Sequence, residues 1–490
     1  MIDDWPKLNA TAAAALANRD YAAAHAALAR AVVLRPDHAD SWFNLGYARR
    51  HLGDYTGALA AYGSALAHGL AGAEAAHVNR AIILSNHLGK MAECASELQQ
   101  AIALNADFLP AWLNLGELHE DQGDAAAARK AYDRALKIAP QNGRAQARLA
   151  ALTILGGDTG RAIAALEARC QAGLARDDDA LEILFAYGNA LDAAARYDES
   201  FEVIVAANSL SASLRRPSER YVPAQMEQLV DQLCALEPAG KAEADVTGEE
   251  RSLFICGMFR SGSTVFEQLL VRHPHIAGGG ELELIPAFVD AYLRPYPDQL
   301  SHIGDTALAG MRRSYAQMLA SVCADSRYVT DKRPDNFLHI GLIKRLFPKA
   351  KIVVTRRAPL DNLLSVFFLG FANTINYSDE LRHIVHYMQQ YEKLMAHWMA
   401  LYPDDIRFVD YEAIVTDPKA SLAAIYHWLG LTPSEGEASS AAPVIRTPSN
   451  WQARGPVHQQ SVGRANNYRT ALAAFGPLLA GLPNPGLQKN

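Results

Sequence analysis

The chain has 490 residues, half of them apolar and a fifth charged, with a net charge of −7. That composition is ordinary for a globular protein, and the length allows about two to four domains. The negative balance excludes a general attraction to nucleic acid or to an anionic membrane, so an anionic ligand would need a local basic site. The five cysteines, Cys94, Cys170, Cys234, Cys256 and Cys323, form no C-x-x-C pair and read as buried thiols of a reducing compartment. The start, MIDDWPKLNA, has neither the basic nor the apolar region of a signal peptide, and no apolar run is long enough to cross a membrane. The expectation is a cytoplasmic protein with no membrane partner.

From residue 5 to about residue 208 the chain is rich in Ala and Leu and repeats itself. Trp42, Leu45, Gly46, Ala58, Tyr62 and Ala65 recur with identical offsets as Trp112, Leu115, Gly116, Ala128, Tyr132 and Ala135. The offsets fit the tetratricopeptide (TPR) pattern, a helix pair of about 34 residues. A further unit fits between the two tryptophans, with Ala81 and Leu98 as its signals. Others fit at 5–38, near 143–176 and near 181–214, six in all. Each unit buries its face only against its neighbours, which predicts a curved all-α solenoid over residues 1–214. Its concave surface would suit a protein or peptide partner, an inference from fold alone.

Residues 215–250 read as a connector, punctuated by Pro217, Pro223 and Pro238 around an amphipathic helix from Met226 to Leu236. Beyond it, over 251–490, the pattern changes to α/β. Strands are expected at Leu253–Cys256, Arg327–Thr330, Ile352–Thr355 and Ile406–Val409. Helices are expected at Asn336–Phe347, Asp361–Leu369, Glu380–Leu401 and Lys419–Leu429. Strands separated by helices imply a mainly parallel sheet that binds ligands beyond its carboxyl ends.

Three motifs follow those strand ends. The first, Gly257-Met258-Phe259-Arg260-Ser261-Gly262-Ser263-Thr264, has Walker A glycine spacing but Ser263 where Walker A has lysine. A strand, a Gly-bounded loop and a helix N-terminus make a cradle for an anion. Arg260 supplies a cation, so a phosphate-like group other than a magnesium-bound triphosphate is expected. In the second motif, Lys332 follows Thr330-Asp331 and could bring an ammonium to the loop. In the third, Arg357 and Ser365 could hold a second phosphate, Arg through its fork and Ser through its hydroxyl.

With these motifs in this order, residues from about 250 to 490 resemble a 3′-phosphoadenosine 5′-phosphosulfate (PAPS)-dependent sulfotransferase with a P-loop-like fold. The chain is most similar to tyrosylprotein sulfotransferases and bacterial-type TPR-sulfotransferases. Supporting segments are Asp410-Tyr411-Glu412, Thr416-Asp417-Pro418 and the stretch from Thr447 to Val457. The resemblance implies PAPS as co-substrate, adenosine 3′,5′-bisphosphate as product and no metal. It implies that Arg260, Ser261, Gly262, Ser263 and Thr264 hold the 5′-phosphosulfate, and Arg357 with Ser365 the 3′-phosphate. Tyr411 and Arg454 would help hold the cofactor phosphates. It places the general base at Glu281, with Glu283 as the alternative, and charge stabilisation at Lys332 and Arg260, with Ser449 near the bridging oxygen. The chain departs from the family at Gly278-Gly279-Gly280, before Glu281, where Gly-Glu-Glu is usual.

The expected reaction is sulfuryl transfer to a hydroxyl, with a protein or peptide tyrosine as the foremost acceptor. A sugar, lipid or small-molecule hydroxyl stays open, and so does a TPR scaffold carrying an inactive sulfotransferase-like domain. A P-loop kinase or NTPase is disfavoured by Ser263. The array could recruit the acceptor or serve a homodimer.

Overall fold

The computed structural model describes residues 4–237, 251–370, 375–432 and 461–482. By compactness the chain falls into two units, Met1–Ala162 and Ile163–Asn490.

The repeat region forms helix pairs at the expected period. They are α1 (Trp5–Ala17) with α2 (Tyr21–Leu34), α3 (Ala39–His51) with α4 (Tyr55–Ala67), and α5 (Ala73–Asn86) with α6 (Met91–Leu104). Next come α7 (Leu109–Asp121) with α8 (Ala125–Ile138), α9 (Gly143–Leu155) with α10 (Thr159–Gln171), and α11 (Asp178–Ala193) with α12 (Tyr197–Leu214). The turn inside a pair is chemically specified. A residue with positive φ (Arg19, Gly53, Gly123 or Gly157) precedes an aspartate. Asp20, Asp54, Asp124 and Asp158 then each accept the amide three residues on, at 2.9–3.1 Å, and cap the second helix.

The repeating small residues are close-approach positions. A Cβ on Gly46 would lie 2.9 Å from the Tyr62 ring, and one on Gly116 would lie 2.5 Å from Tyr132. Both tyrosines are fully buried. Trp42 and Trp112 close their repeats alike, donating Nε1–H to the carbonyls of Pro36 and Ala106. Ala81 and Leu98, the expected signals of the intervening unit, are also buried.

Within the second unit, α13 (Pro223–Cys234) is followed by an α/β fold. Its strands are β1 (Ser252–Gly257), β2 (Ile276–Ala277), β3 (Tyr328–Lys332), β4 (Lys351–Arg356) and β5 (Ile406–Asp410). All pair in parallel in the order β2-β3-β1-β4-β5. The helices between and after them include α14 (Ser263–Leu270), α15 (Leu284–Tyr292), α16 (Asp305–Val322), α17 (Ile340–Leu346), α18 (Pro359–Phe367), α19 (Leu381–Leu401), α20 (Tyr411–Thr416) and α21 (Pro418–Trp428).

β1 is buried along its whole length, and alternate side chains enter two different cores. Leu253 and Ile255 pack with α14, α20 and α21, whereas Phe254 and Cys256 pack with α16, α17 and α19. The chain moves from β1 to one side of the sheet and returns to the other. This puts the carboxyl ends of β1, β3 and β4 side by side, where ligands bind in such sheets. Two departures from expectation are local. The two-residue β2 is too short to leave a periodic signal. The segment from 334 to 339 is a 3-10 turn, because Pro334 opens it and Asn336 turns back to donate to Asp331 at 3.2 Å.

As sequence types we propose the division 1–214, 215–250 and 251–490. The compact units cut the chain earlier, within α10. The reason is that α11 and α12 are bonded to the α/β region. Asn208 donates to the Phe367 carbonyl at 2.9 Å and Ser211 to Asp379 at 2.9 Å. Arg215 pairs with Asp379, both buried, and donates to the Ile375 carbonyl at 3.0 Å. Among the described residues no helix is long and apolar enough to cross a membrane. Removing one partner of a buried pair leaves the other charge uncompensated. Asp379→Ala is therefore expected to lower unfolding free energy by about 3–5 kcal/mol in urea titrations. A loss below about 1 kcal/mol, the range of exposed pairs, would show that Arg215–Asp379 does not hold α12 in place.

Candidate active site

The anion loop is built where β1 ends. Gly257, at φ 143°, lets the chain pass the end of β4; a Cβ there would lie 2.4 Å from the Thr355 carbonyl. Ser261 and Thr355 share a hydrogen bond of 2.7 Å between their hydroxyls, fastening the loop to β4. Gly262, at φ 97°, is the N-cap of α14, so its helix begins at Ser263 and Thr264, both buried. A Cβ on Gly262 would strike Tyr411 at 2.5 Å. The helix N-terminus thus faces the loop with its amides.

Two cations gather beside this loop. Arg260, at φ 67°, donates Nε–H to the Ser365 hydroxyl at 3.2 Å. Arg357 donates to the Arg260 carbonyl at 3.4 Å and to the Ser461 carbonyl at 2.6 Å, and its guanidinium lies 5.0 Å from the Tyr411 ring centre. Ser365, expected to share a phosphate with Arg357, thus accepts from Arg260. Burial, then the charge of Arg357, pushes the Arg260 guanidinium down to about 10. Burial also lowers Arg357. Two half-buried cations that repel each other favour an anion between them.

The carbonyl acceptors of Arg357 include a late segment of chain. From the same segment Gly463 and Ala465 donate their amides to Asp361 at 2.6 and 2.7 Å. Arg464 pairs with Asp192 of α11 at 3.0 Å.

The carboxyl end of β3 carries the other half of the site. Lys332 is the last residue of β3, not a residue beyond it, and is 0% exposed. Its ammonium donates to Glu281 Oε1 at 2.5 Å. Glu281 stays partly accessible, 27% exposed. Glu283 is turned away to the surface and pairs with Arg333 at 3.1 Å. The geometry therefore separates the two carboxylates that the sequence left as alternatives. Two of the glycines before Glu281 have a backbone cause: a Cβ on Gly279 would lie 2.1 Å from the Thr330 carbonyl, and Gly280 has φ 65°.

Ser449 and Arg454 lie outside the described residues. Two buried acids went unnoticed in the sequence. Glu267 of α14 accepts from the Thr330 hydroxyl at 2.5 Å and from the Gly280 amide at 3.2 Å. Asp331 of β3 accepts from the Tyr315 hydroxyl at 2.8 Å and from Asn336 at 3.2 Å. Acids inside an apolar helix face and a strand were the available signal.

Residues 252–435 match the family model described as "Sulfotransferase family", and residues 9–81 and 88–143 match "Tetratricopeptide repeat". The chain thus carries a sulfotransferase-family domain behind tetratricopeptide repeats. It is 26% identical over 303 residues to an uncharacterized protein of Aquifex aeolicus (strain VF5), covering 56% of this chain and 38% of that one. It is 25% identical over 194 residues to a putative protein-tyrosine sulfotransferase of Caenorhabditis briggsae, covering 38% and 68%. With protein-tyrosine sulfotransferase 2 of Gallus gallus the identity is 26% over 196 residues, covering 37% and 52%. Among solved structures, MamA covers 35% of this chain at 17% identity and TM-score 0.31, and 96% of its own. The type IV pilus biogenesis factor PilW covers 41% at 22% identity and TM-score 0.34, and 92% of its own. At those scores the structural likeness carries no functional argument.

Asp331 gives a pH test of the buried layer beneath the site. Burial, against the hydrogen bonds of Tyr315 and the charge of Arg333, pushes its carboxyl up to about 7 from 3.8. The folded state then holds a proton that the unfolded chain releases, so its contribution is full below pH 3.8 and is lost as pH rises to about 7. Asp331→Asn should flatten the fall in stability between those pH values by up to about 1.4 kcal/mol per pH unit. Parallel wild-type and variant curves in chemical denaturation would contradict the assignment.

Proposed function

We propose that this chain is a PAPS-dependent sulfotransferase whose acceptor is a protein or peptide tyrosine. The observation that carries the reading is the buried Lys332 ammonium set on the accessible Glu281 carboxylate, beside the Gly-bounded loop of β1. The residues fit such a donor. The loop leads into the N-terminus of α14, and the buried Arg357 Nε has no partner among the described residues. When bound, the donor supplies an activated sulfuryl group on a phosphate leaving group.

In this reading the loop amides, Arg260, Ser261, Ser263 and Thr264 hold the phosphosulfate end. Arg357 and Ser365 hold the 3′-phosphate, with Tyr411 supporting the Arg357 plane. Glu281 takes the acceptor proton, which a phenol with a pKa of about 10 does not give up at neutral pH unaided. The acceptor oxygen bonds to sulfur as the bond from sulfur to the bridging phosphate oxygen breaks. Protonation of Glu281 dissolves its ion pair and frees the Lys332 charge for that leaving oxygen. Positioning and charge stabilisation then dominate, as in phosphoryl transfer. Ser449 and Arg454 keep their assigned parts as proposals. The names of the nematode and chicken relatives support tyrosine as acceptor. Tetratricopeptide repeats suit recruitment of a protein acceptor.

Calorimetric titration with adenosine 3′,5′-bisphosphate, beside ATP with magnesium, tests the cofactor class. Binding of the bisphosphate alone is expected; preference for ATP would sink the reading. Arg357→Ala should weaken the bisphosphate about 10- to 100-fold, the worth of charge-assisted hydrogen bonds. Glu281→Gln should leave that affinity intact and slow transfer at least about 100-fold. Full turnover by Glu281→Gln would move the base to Glu283.

A further inference from the structure

Glu267 is a buried carboxylate that neither the anion loop nor the proposed proton transfer uses. It sits on α14, behind the turn that carries Glu281. One of its oxygens accepts both the Thr330 hydroxyl at 2.5 Å and the Gly280 amide at 3.2 Å. The Thr330 hydroxyl oxygen in turn accepts the Gly279 amide at 3.0 Å. From the other side, the Lys332 amide donates to the Gly280 carbonyl at 2.8 Å. The turn Gly279-Gly280-Glu281 is therefore held by consecutive bonds to α14 and β3. Its approach is so close that no side chain fits at Gly279.

We propose that Glu267 is a positioning residue: through Thr330 and Gly280 it fixes the turn that presents Glu281 to Lys332. The catalytic meaning rests on the sulfotransferase reading above; the clamp itself does not. Glu267 is too buried to meet an acceptor, whereas Glu281 is open to one. Its carboxyl is raised by burial, an effect that the nearby Lys332 charge opposes and the Glu281 charge reinforces. Thus Lys332 lies in the field of two carboxylates. One is accessible and proposed to titrate during transfer; the other is enclosed and anchors the backbone.

Three variants of the full chain test this: Thr330→Val, Glu267→Ala and Glu267→Gln. The first removes the shared hydroxyl at nearly constant volume and serves if Glu267→Ala does not fold. Thr330→Val should speed hydrogen exchange of the Gly279 amide, and Glu267→Ala that of the Gly280 amide, each about tenfold, the worth of one lost hydrogen bond. They should slow single-turnover transfer from PAPS to a tyrosine peptide about 100-fold, the cost of a base displaced by about 1 Å. Affinity for adenosine 3′,5′-bisphosphate should not change. Glu267→Gln, whose amide oxygen can accept both bonds, should restore most of the transfer rate.

Unchanged Gly279 exchange in Thr330→Val overturns the clamp. A transfer rate that falls only in step with bisphosphate affinity or thermal stability overturns the positioning role. If the wild-type protein neither binds the bisphosphate nor transfers sulfuryl, the sulfotransferase reading falls, and the exchange measurement still decides the clamp.

Discussion

An ammonium group removed from water must be compensated, and the end of β3 is organised around that requirement. Lys332 is fully buried, and an unpaired charge there would be too costly to keep. Glu281 satisfies it at 2.5 Å, but only because the turn before Glu281 comes against β3. That approach excludes a side chain at Gly279 and demands positive φ at Gly280. Glu267 then fills the space behind the turn and accepts the groups that face it. Gly279 and Gly280, the two glycines that depart from the expected Gly-Glu-Glu, thus have a backbone cause in the close approach of this turn to β3.

The other half of the site has the opposite electrostatic character. Arg357 lies close enough to depress Arg260, and the two arginines donate to hydroxyl and carbonyl groups. Such an arrangement gathers positive charge at the N-terminus of α14, the place where the sheet order concentrates loop amides. The same arginine that faces the loop is tied to the late segment from Ser461 to Ala465. Arg464 and Tyr468, in and just beyond that segment, bond to Asp192 of α11. The sixth helix pair is in this way part of the unit that contains the site, which explains why compactness and repeat period cut the chain at different points.

The repeat array was legible because its constraints are local and recur. Gly46 with Tyr62, and Gly116 with Tyr132, are a small and a large residue at fixed spacing, and the contact follows from the offset alone. The positive-φ residue and capping aspartate of four inner turns are equally local. The central strands were legible as apolar runs, whereas the two residues of β2 were not, since their pairing partner is distant in sequence. Glu267 and Asp331 stayed hidden for a related reason: a carboxylate in an apolar stretch becomes informative only when its donors are known.

What the sequence determined by itself was the inventory: six helix pairs, a Gly-bounded loop without the Walker lysine, and Arg260, Lys332, Arg357, Ser365 and Glu281 in a telling order. These are matters of periodicity and motif spacing, which short-range sterics and hydrogen bonding impose. Only the tertiary structure decided that Glu281 rather than Glu283 meets Lys332, that Arg260 rather than Arg357 reaches Ser365, and that Glu267 braces the turn between them. Those choices depend on how β1, β3 and β4 lie side by side. Strand order and register are set by long-range packing, which no window of the chain contains.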